Sequence, residues 1–367
     1  HTLSLHDALP IYPLSKGEVC MKKMGDMLVT TDPFEEIVMG NTALVRAMVE
    51  AGTEVVSSYP GSPTPEIGAA ILSIQEKERP FYFEFSVNEK VATEVALGAS
   101  LNGHLSTVFF KSVGLNVAAD AFVQLPLMEL IGGMVVILGD DPGANSSQNE
   151  QDNRHYARMV YAPVFEPGNP QEAYEMYLEA AKISKQMQMP VILRLTTHVC
   201  HAKMRTSFGK YSPRLPQNLA EFDPDNGPYI PLTNLAIDMK RRALKRRSRM
   251  AERGESSEFH YLLENGNRAQ GIITSGLPYY SLLDVLEAEK QSTADRPPDI
   301  FKLGLTYPIP RAKIAEFCRS HENVLILEEL DPILEQEIKT IAFEEGISVR
   351  ILGKQEDEDY IRSEERR

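Results

Sequence analysis

Four short polar segments in the first half of the chain carry residue types that could bind and activate a small anionic ligand. They are residues 59–66 (YPGSPTPE), 86–89 (SVNE), 111–116 (KSVGLN) and 140–152 (DDPGANSSQNEQD). Each follows a predicted strand, and hydroxyls and free N–H groups where a strand meets a helix can hold a carboxylate. A carboxylate at such a strand end can also relay protons. Because loops on a rigid sheet usually carry the binding groups, we expect the four segments to rim one crevice.

The first two segments also have purely structural interpretations. The Pro/Gly-rich segment could be a turn in which Ser62 or Thr64 is the N-cap of the next helix. Ser86 and Glu89 have the spacing of a capping box, with serine as the N-cap and glutamate at N3. The spacing fits a capping glutamate and a proton-relaying glutamate equally, so both interpretations stay open for Glu89.

Two patterns that suggest metal ions are not interpreted as metal sites. Residues 139–141 (GDD) with Asn169 downstream faintly resemble a G-D-G…N diphosphate–magnesium motif, but the third glycine is missing. A divalent ion needs several converging oxygen ligands, and Asn169 before Pro170 is predicted to be a helix N-cap. The run 198–201 (HVCH) offers only three ligands and, as a predicted strand end, alternates faces. We therefore predict no metal site.

Strand-like and helical patterns alternate along the first part of the chain, over residues 34–205. Strands are predicted at 54–59, 81–87, 106–110, 134–139 and 191–196, and helices at 41–51, 64–77, 88–102, 113–128 and 170–187. The strands MVVILG (134–139) and VILRLT (191–196) are apolar on both faces, as in a parallel sheet covered by helices. The alternation predicts βαβ units and a mostly parallel sheet.

A second α/β block is predicted over residues 268–355, after a linker at 206–267. The linker contains several prolines and a basic run, 240–253 (KRRALKRRSRMAER). We interpret the basic run as a solvated helix that crosses between domains, and the alternative is a phosphate-binding strip. Strands are predicted at 270–276, 300–307, 323–329 and 347–353, with helices at 279–290, 311–320 and 333–345. The fold class is therefore α/β, with two open, mostly parallel-sheet domains, and ligands are expected beyond the carboxyl ends of the strands.

Composition excludes several classes of protein. The 367 residues carry a net charge of −14, which argues against a nucleic-acid binder. Three cysteines exclude a disulfide framework and an iron–sulfur cluster held entirely by this chain, and they favour the cytoplasm. No apolar run is long enough to span a membrane. We expect residues 1–33 to be a non-native or disordered leader. Residues 356–367 are expected to be a charged tail, of either native or non-native origin.

Five motifs, taken together and in order, resemble a known family. They are YPGSPTPE, SVNEKVATEVALGAS, KSVGLNVAAD, DDPGANSSQNEQDNRHYA and LRLTTHVCH. The family is the large subunit of the indolepyruvate:ferredoxin oxidoreductases, which are thiamine-diphosphate enzymes of the 2-oxoacid:ferredoxin oxidoreductase superfamily. GIITSG, FKLGLTYP and VLILEELDP match its next domain. The resemblance covers residues 34–353 and implies a pyrimidine-binding-type domain followed by a transketolase C-terminal-like domain.

The resemblance also implies roles for individual residues. Glu89 matches the glutamate that hydrogen-bonds the pyrimidine ring of thiamine diphosphate and favours its imino tautomer, and the cofactor then acts as the electron sink. Ser62 aligns with the threonine of a Y-P-x-T-P turn, near the substrate carboxylate. The chain departs from the family pattern at two places in this turn: it has Ser62 instead of threonine, and Thr64-Pro65 instead of Ser-Ser. Both departures bear on the identity of the substrate. Further binding residues implied are Thr64 and Lys111 for the substrate, and Tyr59, Pro60, Gly61 and Asn116 for the cofactor.

The reaction implied is oxidative decarboxylation of indolepyruvate or another aryl 2-oxoacid to an acyl-coenzyme A, with electrons passed to ferredoxin. The diphosphate-binding and cysteine-rich motifs of the family are absent from this sequence. A C-terminal half or a partner chain is therefore expected to supply Mg²⁺, the 4Fe-4S clusters and the other half of the cofactor site. The resemblance also implies a small β subunit and an oligomeric complex. The chain alone is expected to be inactive. Two alternatives are another 2-oxoacid as substrate and a non-catalytic regulatory or assembly module.

Overall fold

The computed structural model describes residues 23–213, 229–289 and 296–354. Most of the expected leader, the charged tail and part of the proline-rich linker lie outside these residues. The helices are α1 Met24–Leu28, α2 Gly40–Ala51, α3 Pro65–Ser73, α4 Glu89–Leu101, α5 Gly114–Phe122, α6 Arg154–Val160, α7 Pro170–Met187, α8 Thr197–His201, α9 Thr233–Gly254, α10 Gly276–Glu289, α11 Arg311–Arg319 and α12 Ile333–Glu344. None of the helices in these ranges combines the length and apolar character needed to cross a bilayer.

The strands build two large sheets and one two-stranded ribbon. They are β1 Phe34–Met39, β2 Val55–Ser58, β3 Tyr82–Phe85, β4 Ser106–Lys111, β5 Met134–Asp140, β6 Val164–Phe165, β7 Pro190–Thr196, β8 Lys203–Phe208, β9 Tyr261–Leu263, β10 Gln270–Ser275, β11 Asp299–Leu303, β12 Leu305–Tyr307, β13 Asn323–Leu327 and β14 Arg350–Leu352. β1 and β8 form the antiparallel ribbon, which the sequence did not predict as strands.

The first sheet has the strand order β12-β6-β7-β5-β4-β2-β3. All its neighbours are parallel except β12, which runs antiparallel to β6. Every residue of β5 and β7 is buried, which confirms the prediction from their two-sided apolar pattern. Separate apolar clusters cover the two faces, with α2 and α7 on one face and α4 and α5 on the other.

The second sheet has the order β14-β13-β10-β11-β9, in which only β9 is antiparallel. Its core is made by side chains of α11, α12 and the central strands, among them Ile314, Ile326 and Ile338. Both large sheets are mostly parallel, so the predicted fold class is confirmed.

The predicted single strand 300–307 is wrong, because the chain leaves one sheet and enters the other at Gly304. Residues before the glycine pair with β10 in the second sheet, whereas Leu305 and Tyr307 pair with β6 in the first. A Cβ atom at Gly304 would lie 2.5 Å from the Cβ of Phe259, so only glycine fits at this crossing. One continuous stretch of chain therefore joins the edges of both sheets.

Two segments that the sequence assigned to a leader and a solvated linker contribute to the core. In α1, Leu28 is fully buried, and the buried Arg46 donates hydrogen bonds to the carbonyl oxygens of Leu28 (3.0 Å) and Thr30 (2.6 Å). The basic run is helical as predicted, but α9 is not solvated on all sides. Its Arg246 is buried and donates to the carbonyl of Pro126 at 2.7 Å.

A buried ion cluster (Asp140, Asp152, Arg154, Glu166, Arg194 and Glu328) lies between the two sheets. Arg154 pairs with Asp152 at 2.6 Å on its own side and with Glu328 at 2.7 Å across the boundary. It also donates to the backbone carbonyl of Glu329 at 2.7 Å. Burial disfavours the charged guanidinium, but the surrounding carboxylates outweigh it and hold the pKa of Arg154 well above its usual value.

The other half of the ion cluster is organised by Arg194 on β7. Its guanidinium pairs with Asp140 at 2.6 Å and with Glu166 at 3.0 Å. The second carboxylate oxygen of Glu166 accepts a hydrogen bond of 2.8 Å from the hydroxyl of Ser275, at the end of β10. Both arginines therefore connect the carboxyl ends of the two sheets through shared carboxylates.

We predict that Arg154→Gln lowers the free energy of unfolding by about 3–5 kcal/mol, because it leaves buried carboxylates without their cation. Arg158→Gln is the matched control, since Arg158 lies one turn later on α6 and pairs with Glu337 near the surface. That change should cost at most about 1 kcal/mol. Urea unfolding followed by circular dichroism measures both. Equal effects of the two changes would show that the ion cluster contributes no more than a surface pair.

Candidate functional site

The four polar segments meet at the carboxyl edge of the first sheet, where β5, β4, β2 and β3 are neighbours. Between them is an open cleft of about 570 Å³. The residues lining it are Tyr59, Asn88, Glu89, Lys111, Val113, Asn116, Val117, Gln148 and Asn149. The expectation that these segments rim a single crevice is therefore confirmed.

Glu89 is the first residue of α4, and the capping-box interpretation is wrong. The N-cap is Asn88, whose side-chain oxygen accepts a 2.9 Å hydrogen bond from the backbone N–H of Val91. Ser86 instead donates to the carboxylate of Glu84 at 2.7 Å. Because the helix begins later than the spacing suggested, Glu89 is at N1 rather than N3, and its carboxylate has no capping role.

The Glu89 side chain is almost fully buried, with 5% of its surface exposed. No group in the described parts of the chain donates a hydrogen bond to its carboxylate. A Cβ atom at Gly114, on the facing helix α5, would lie 2.8 Å from Glu89 Oε1, so the missing side chain makes room for this carboxylate. Buried polar groups in proteins almost always have a partner. A carboxylate without a donor at a cleft wall therefore fits a ligand that brings an N–H group.

Lys111 ends β4 and brings a cation to the same cleft. Its aliphatic part lies against Gly61, where a Cβ atom would come within 2.6 Å of Lys111 Cδ. In the described residues, no carboxylate or carbonyl pairs with the Lys111 amine. Tyr59, which lines the cleft, and Pro60, next to it in the chain, are both exposed. The cleft thus presents an anion and a cation, neither of which has a partner among the described residues.

Ser62 and Thr64 are not placed alike. The hydroxyl of Ser62 accepts a 3.1 Å hydrogen bond from Ser146, which ties the turn to the long loop after β5. Thr64 is fully buried, its hydroxyl donates to the carbonyl of Gly61 at 3.0 Å, and its methyl group lies against Gly139. Thr64 occupies the N-cap position of α3 but caps no N–H group with its side chain. The structure does not bring Thr64 to the cleft.

Asn116 is held by a network that sequence reasoning missed. Its amide nitrogen donates to Gln151 at 2.8 Å, and its amide oxygen accepts from the hydroxyl of Tyr156 at 3.0 Å. Gln151 in turn donates to Asn153 at 2.8 Å, and Asn153 binds Asp140 of the ion cluster. The signal in the sequence was the run of amide residues after β5. Its partners could be identified only from the fold.

The rejected metal patterns have structural explanations. Asp140 pairs with Arg194, and burial raises its pKa. Asp141 accepts hydrogen bonds from the backbone N–H groups of Ser146 (2.8 Å) and Ser147 (2.9 Å). Burial opposes ionisation of Asp141, but these and other donors outweigh it and lower the pKa. Both carboxylates are therefore committed to protein donors.

Two further local predictions have opposite outcomes. Asn169 is the N-cap of α7, with its side-chain oxygen accepting from the N–H of Glu172 at 2.9 Å, as predicted. The run HVCH was predicted to be a strand end, and this is wrong, because residues 197–201 form the short helix α8. Cys200 faces the core there, and burial raises the pKa of its thiol.

Comparisons with known proteins agree with this architecture. Residues 46–258 match the family described as pyruvate flavodoxin/ferredoxin oxidoreductase, thiamine diphosphate-binding. Residues 263–365 match the indolepyruvate oxidoreductase domain. Among curated relatives, the indolepyruvate oxidoreductase subunit IorA of Methanothermobacter marburgensis is 39% identical over 317 residues, which cover 86% of this chain and 50% of the relative. The chain spans about half the length of the curated IorA relatives it matches.

Solved structures share the fold at low identity. A 2-oxoglutarate:ferredoxin oxidoreductase from Magnetococcus marinus superimposes with a TM-score of 0.68 at 15% identity, covering 88% of this chain and 62% of that chain. A split-gene transketolase gives a TM-score of 0.52 at 15% identity, covering 86% of this chain and 88% of that chain. At these identities the likeness concerns the fold alone.

We predict that Asn88→Ala lowers the free energy of unfolding by about 1 kcal/mol, because it removes the side-chain cap of α4. Ser86→Ala is the control, and it should have less than half of that effect, since Ser86 caps no helix N–H group. Thermal unfolding of the two variants measures the difference. A larger loss from Ser86→Ala would restore the capping-box interpretation.

Proposed function

Because the chain belongs to the thiamine-diphosphate-binding family of pyruvate flavodoxin/ferredoxin oxidoreductases, we propose that it supplies the pyrimidine-binding half of a 2-oxoacid:ferredoxin oxidoreductase site. The observation that carries this proposal is the buried carboxylate of Glu89, which lines the cleft and has no donor in the described residues. The carboxylate, the room made by Gly114 and the open cleft fit an aminopyrimidine ring that brings its own N–H group.

Bound thiamine diphosphate supplies the carbanion and electron sink that decarboxylation of a 2-oxoacid requires. The part of Glu89 is to hold a proton at the pyrimidine ring nitrogen and so favour the imino tautomer. Burial suits this role, because an interaction with a nearly buried carboxylate is weakened less by water than one at the surface. Tyr59, Pro60, Gly61 and Asn116 are proposed to contact the cofactor from the other walls of the cleft.

Lys111 is proposed to bind the carboxylate of the 2-oxoacid. In the part of the chain that the structure describes, its amine has no anionic partner. Its stem lies against Gly61 and the residue lines the cleft, so the cation is available to a ligand there. Ser62, which follows Gly61 in the chain, is proposed to offer a hydroxyl to the same carboxylate. Thr64 is proposed to act on the substrate only indirectly. Its buried hydroxyl binds the carbonyl of Gly61 and so holds the turn that carries Ser62.

The substrate is proposed to be indolepyruvate or another aryl 2-oxoacid, oxidised to its acyl-coenzyme A with electrons passed to ferredoxin. This rests on the second family match and on relatives named indolepyruvate oxidoreductase subunits. A different 2-oxoacid is the main alternative, because the turn at Ser62 differs from the family pattern. A non-catalytic assembly module is the other alternative. Such a module would have no use for the nearly buried carboxylate of Glu89, which has no donor among the described residues.

The site is proposed to be completed by a diphosphate-binding half that also brings Mg²⁺, with 4Fe-4S clusters and a small β subunit elsewhere in a cytoplasmic, oligomeric complex. Exposed apolar side chains beside the cleft support such docking. Phe85, Val87 and Val117 are 43%, 78% and 49% exposed. On this proposal the chain alone does not turn over, and activity appears when the other half is added.

In the complex with its diphosphate-binding half, Glu89→Gln is expected to lower kcat about 10²–10⁴-fold, because a neutral amide cannot hold the proton at the ring nitrogen. Glu94→Gln is the matched control, since Glu94 lies on the same helix with about half of its side chain exposed. Its kcat should stay within about twofold. Steady-state 2-oxoacid oxidation with an artificial electron acceptor measures both variants. Activity of Glu89→Gln within a few-fold of the parent would contradict the proposed role.

Lys111→Gln is expected to raise KM for the 2-oxoacid about 10-fold or more with a smaller change in kcat, because a charge-assisted hydrogen bond to the substrate carboxylate is lost. Lys90→Gln is the control, since Lys90 is exposed and already paired with Asp120 at 2.8 Å. The same assay over a range of 2-oxoacid concentrations gives both constants. An unchanged KM in the Lys111 variant would assign the carboxylate to another residue.

A further inference from the structure

A second cavity, of about 390 Å³, lies at the amino-terminal edge of the second sheet. Neither the cleft nor the ion cluster contributes to it. Its walls come from β9, from the start of β11 and from α11. A volume of this size is typical of sites for small organic ligands.

The usual ligand position in the second sheet is closed. Ligands of open α/β sheets bind beyond the carboxyl ends of the strands. Here the end of β10 is bonded to the first sheet through Ser275 and Glu166, and Glu328, just after β13, pairs with Arg154. Contacts with the first sheet therefore occupy the carboxyl edge of the second sheet, and the cavity opens on the opposite side.

The inner wall of the cavity is aromatic and rigid. The rings of Phe301 and Phe317 have centroids 5.8 Å apart, and the ring of His321 lies 4.3 Å from that of Phe317. All three side chains are at least 95% buried. His321 is fixed from both nitrogens, with Nε2 3.2 Å from an Asp299 carboxylate oxygen and Nδ1 2.8 Å from the carbonyl of Phe317. Such a wall favours a planar apolar ring.

The rim of the cavity carries both signs of charge. Arg268 and Lys313 are cationic, Glu264 and Glu316 are anionic, and all four are exposed lining residues. Across the described ranges, none of these four side chains forms an ion pair or a hydrogen bond. The rim therefore offers separate partners for an ammonium group and for a carboxylate.

His260, which precedes β9, also lines the cavity. Its Nε2 lies 3.1 Å from the carbonyl of Gly254, which makes Nε2 the protonated nitrogen, and its buried Nδ1 has no hydrogen-bond partner. Burial, with Lys313 nearby, lowers the pKa of His260 to about 4, so the ring is neutral at pH 7. His260 therefore contributes a neutral ring, and no charge, to the lining of the cavity.

From the aromatic wall and the mixed rim, we propose that this cavity binds a small aromatic zwitterion, namely an α-amino acid with an aromatic side chain. The ring lies on the wall of Phe301 and Phe317, the carboxylate meets Arg268 and Lys313, and the ammonium group meets Glu264 and Glu316. This binding is separate from the proposed catalytic half-site, and each can fail without the other.

Isothermal titration of the full chain with L-phenylalanine and L-tryptophan tests the proposal. We expect saturable binding in the millimolar range or tighter, and at least about fivefold weaker binding of 3-phenylpropionate, which lacks the ammonium, and of phenethylamine, which lacks the carboxylate. Lys313→Gln and Arg268→Gln should each weaken binding of the amino acids to a similar degree. Lys203→Gln, an exposed lysine on β8 of the ribbon, is the control and should leave binding unchanged.

Three results would overturn the proposal. They are no binding of either amino acid at millimolar concentration, equal binding of the single-charge analogues, or full affinity in both rim variants. The rim residues are exposed, so these variants should fold, and their circular dichroism and melting temperature are measured beside the parent chain to verify it. A change in Glu89 leaves the titration unaffected, which keeps this test independent of the catalytic proposal.

Discussion

The burial of charge between the two sheets is the constraint on which the rest of the molecule depends. Charged groups removed from water are tolerated only when each is paired and hydrogen-bonded, because their desolvation is costly. Arg154 and Arg194 meet this condition by sharing carboxylates from both sheets. The two sheets are therefore fixed at their carboxyl ends, and the loop after β5, which carries Asp152 and wall residues of the cleft, is fixed with them.

The carboxylate of Glu89 differs from the carboxylates of this cluster, which pair with Arg154 and Arg194. It lies in the same protein, is nearly as buried, and has no donor within the described residues. The difference follows from position, since Glu89 begins a helix at an open edge of the sheet whereas the ion cluster is enclosed by both sheets. A nearly buried carboxylate at the wall of an open cleft, with no donor in the described residues, is a physical sign of a ligand site.

The contact between the two sheets through the ion cluster also separates two binding regions. The first sheet keeps its carboxyl edge open at the cleft, because β2, β3 and β4 lie away from the contact with the second sheet. In the second sheet, the contacts of Ser275 and Glu328 with the first sheet occupy that edge, and its cavity is on the amino-terminal side. The second sheet does not line the cleft, but it holds the loop after β5, which does. Its own cavity can accept a different ligand.

Local chemistry in the sequence determined the helices and strands, the parallel sheets, the cap at Asn169 and the polar edge containing Glu89 and Lys111. These features depend on periodicity and on neighbours within a few residues. Only the tertiary structure decided that Asn88 rather than Ser86 caps α4, that Thr64 is buried, and that the chain changes sheets at Gly304. The partners of Arg154 and Asn116 were likewise beyond the sequence. The cap follows from where α4 begins, which two competing local spacings left open. The other features depend on contacts between residues far apart in the chain, and side-chain type and spacing do not specify such contacts.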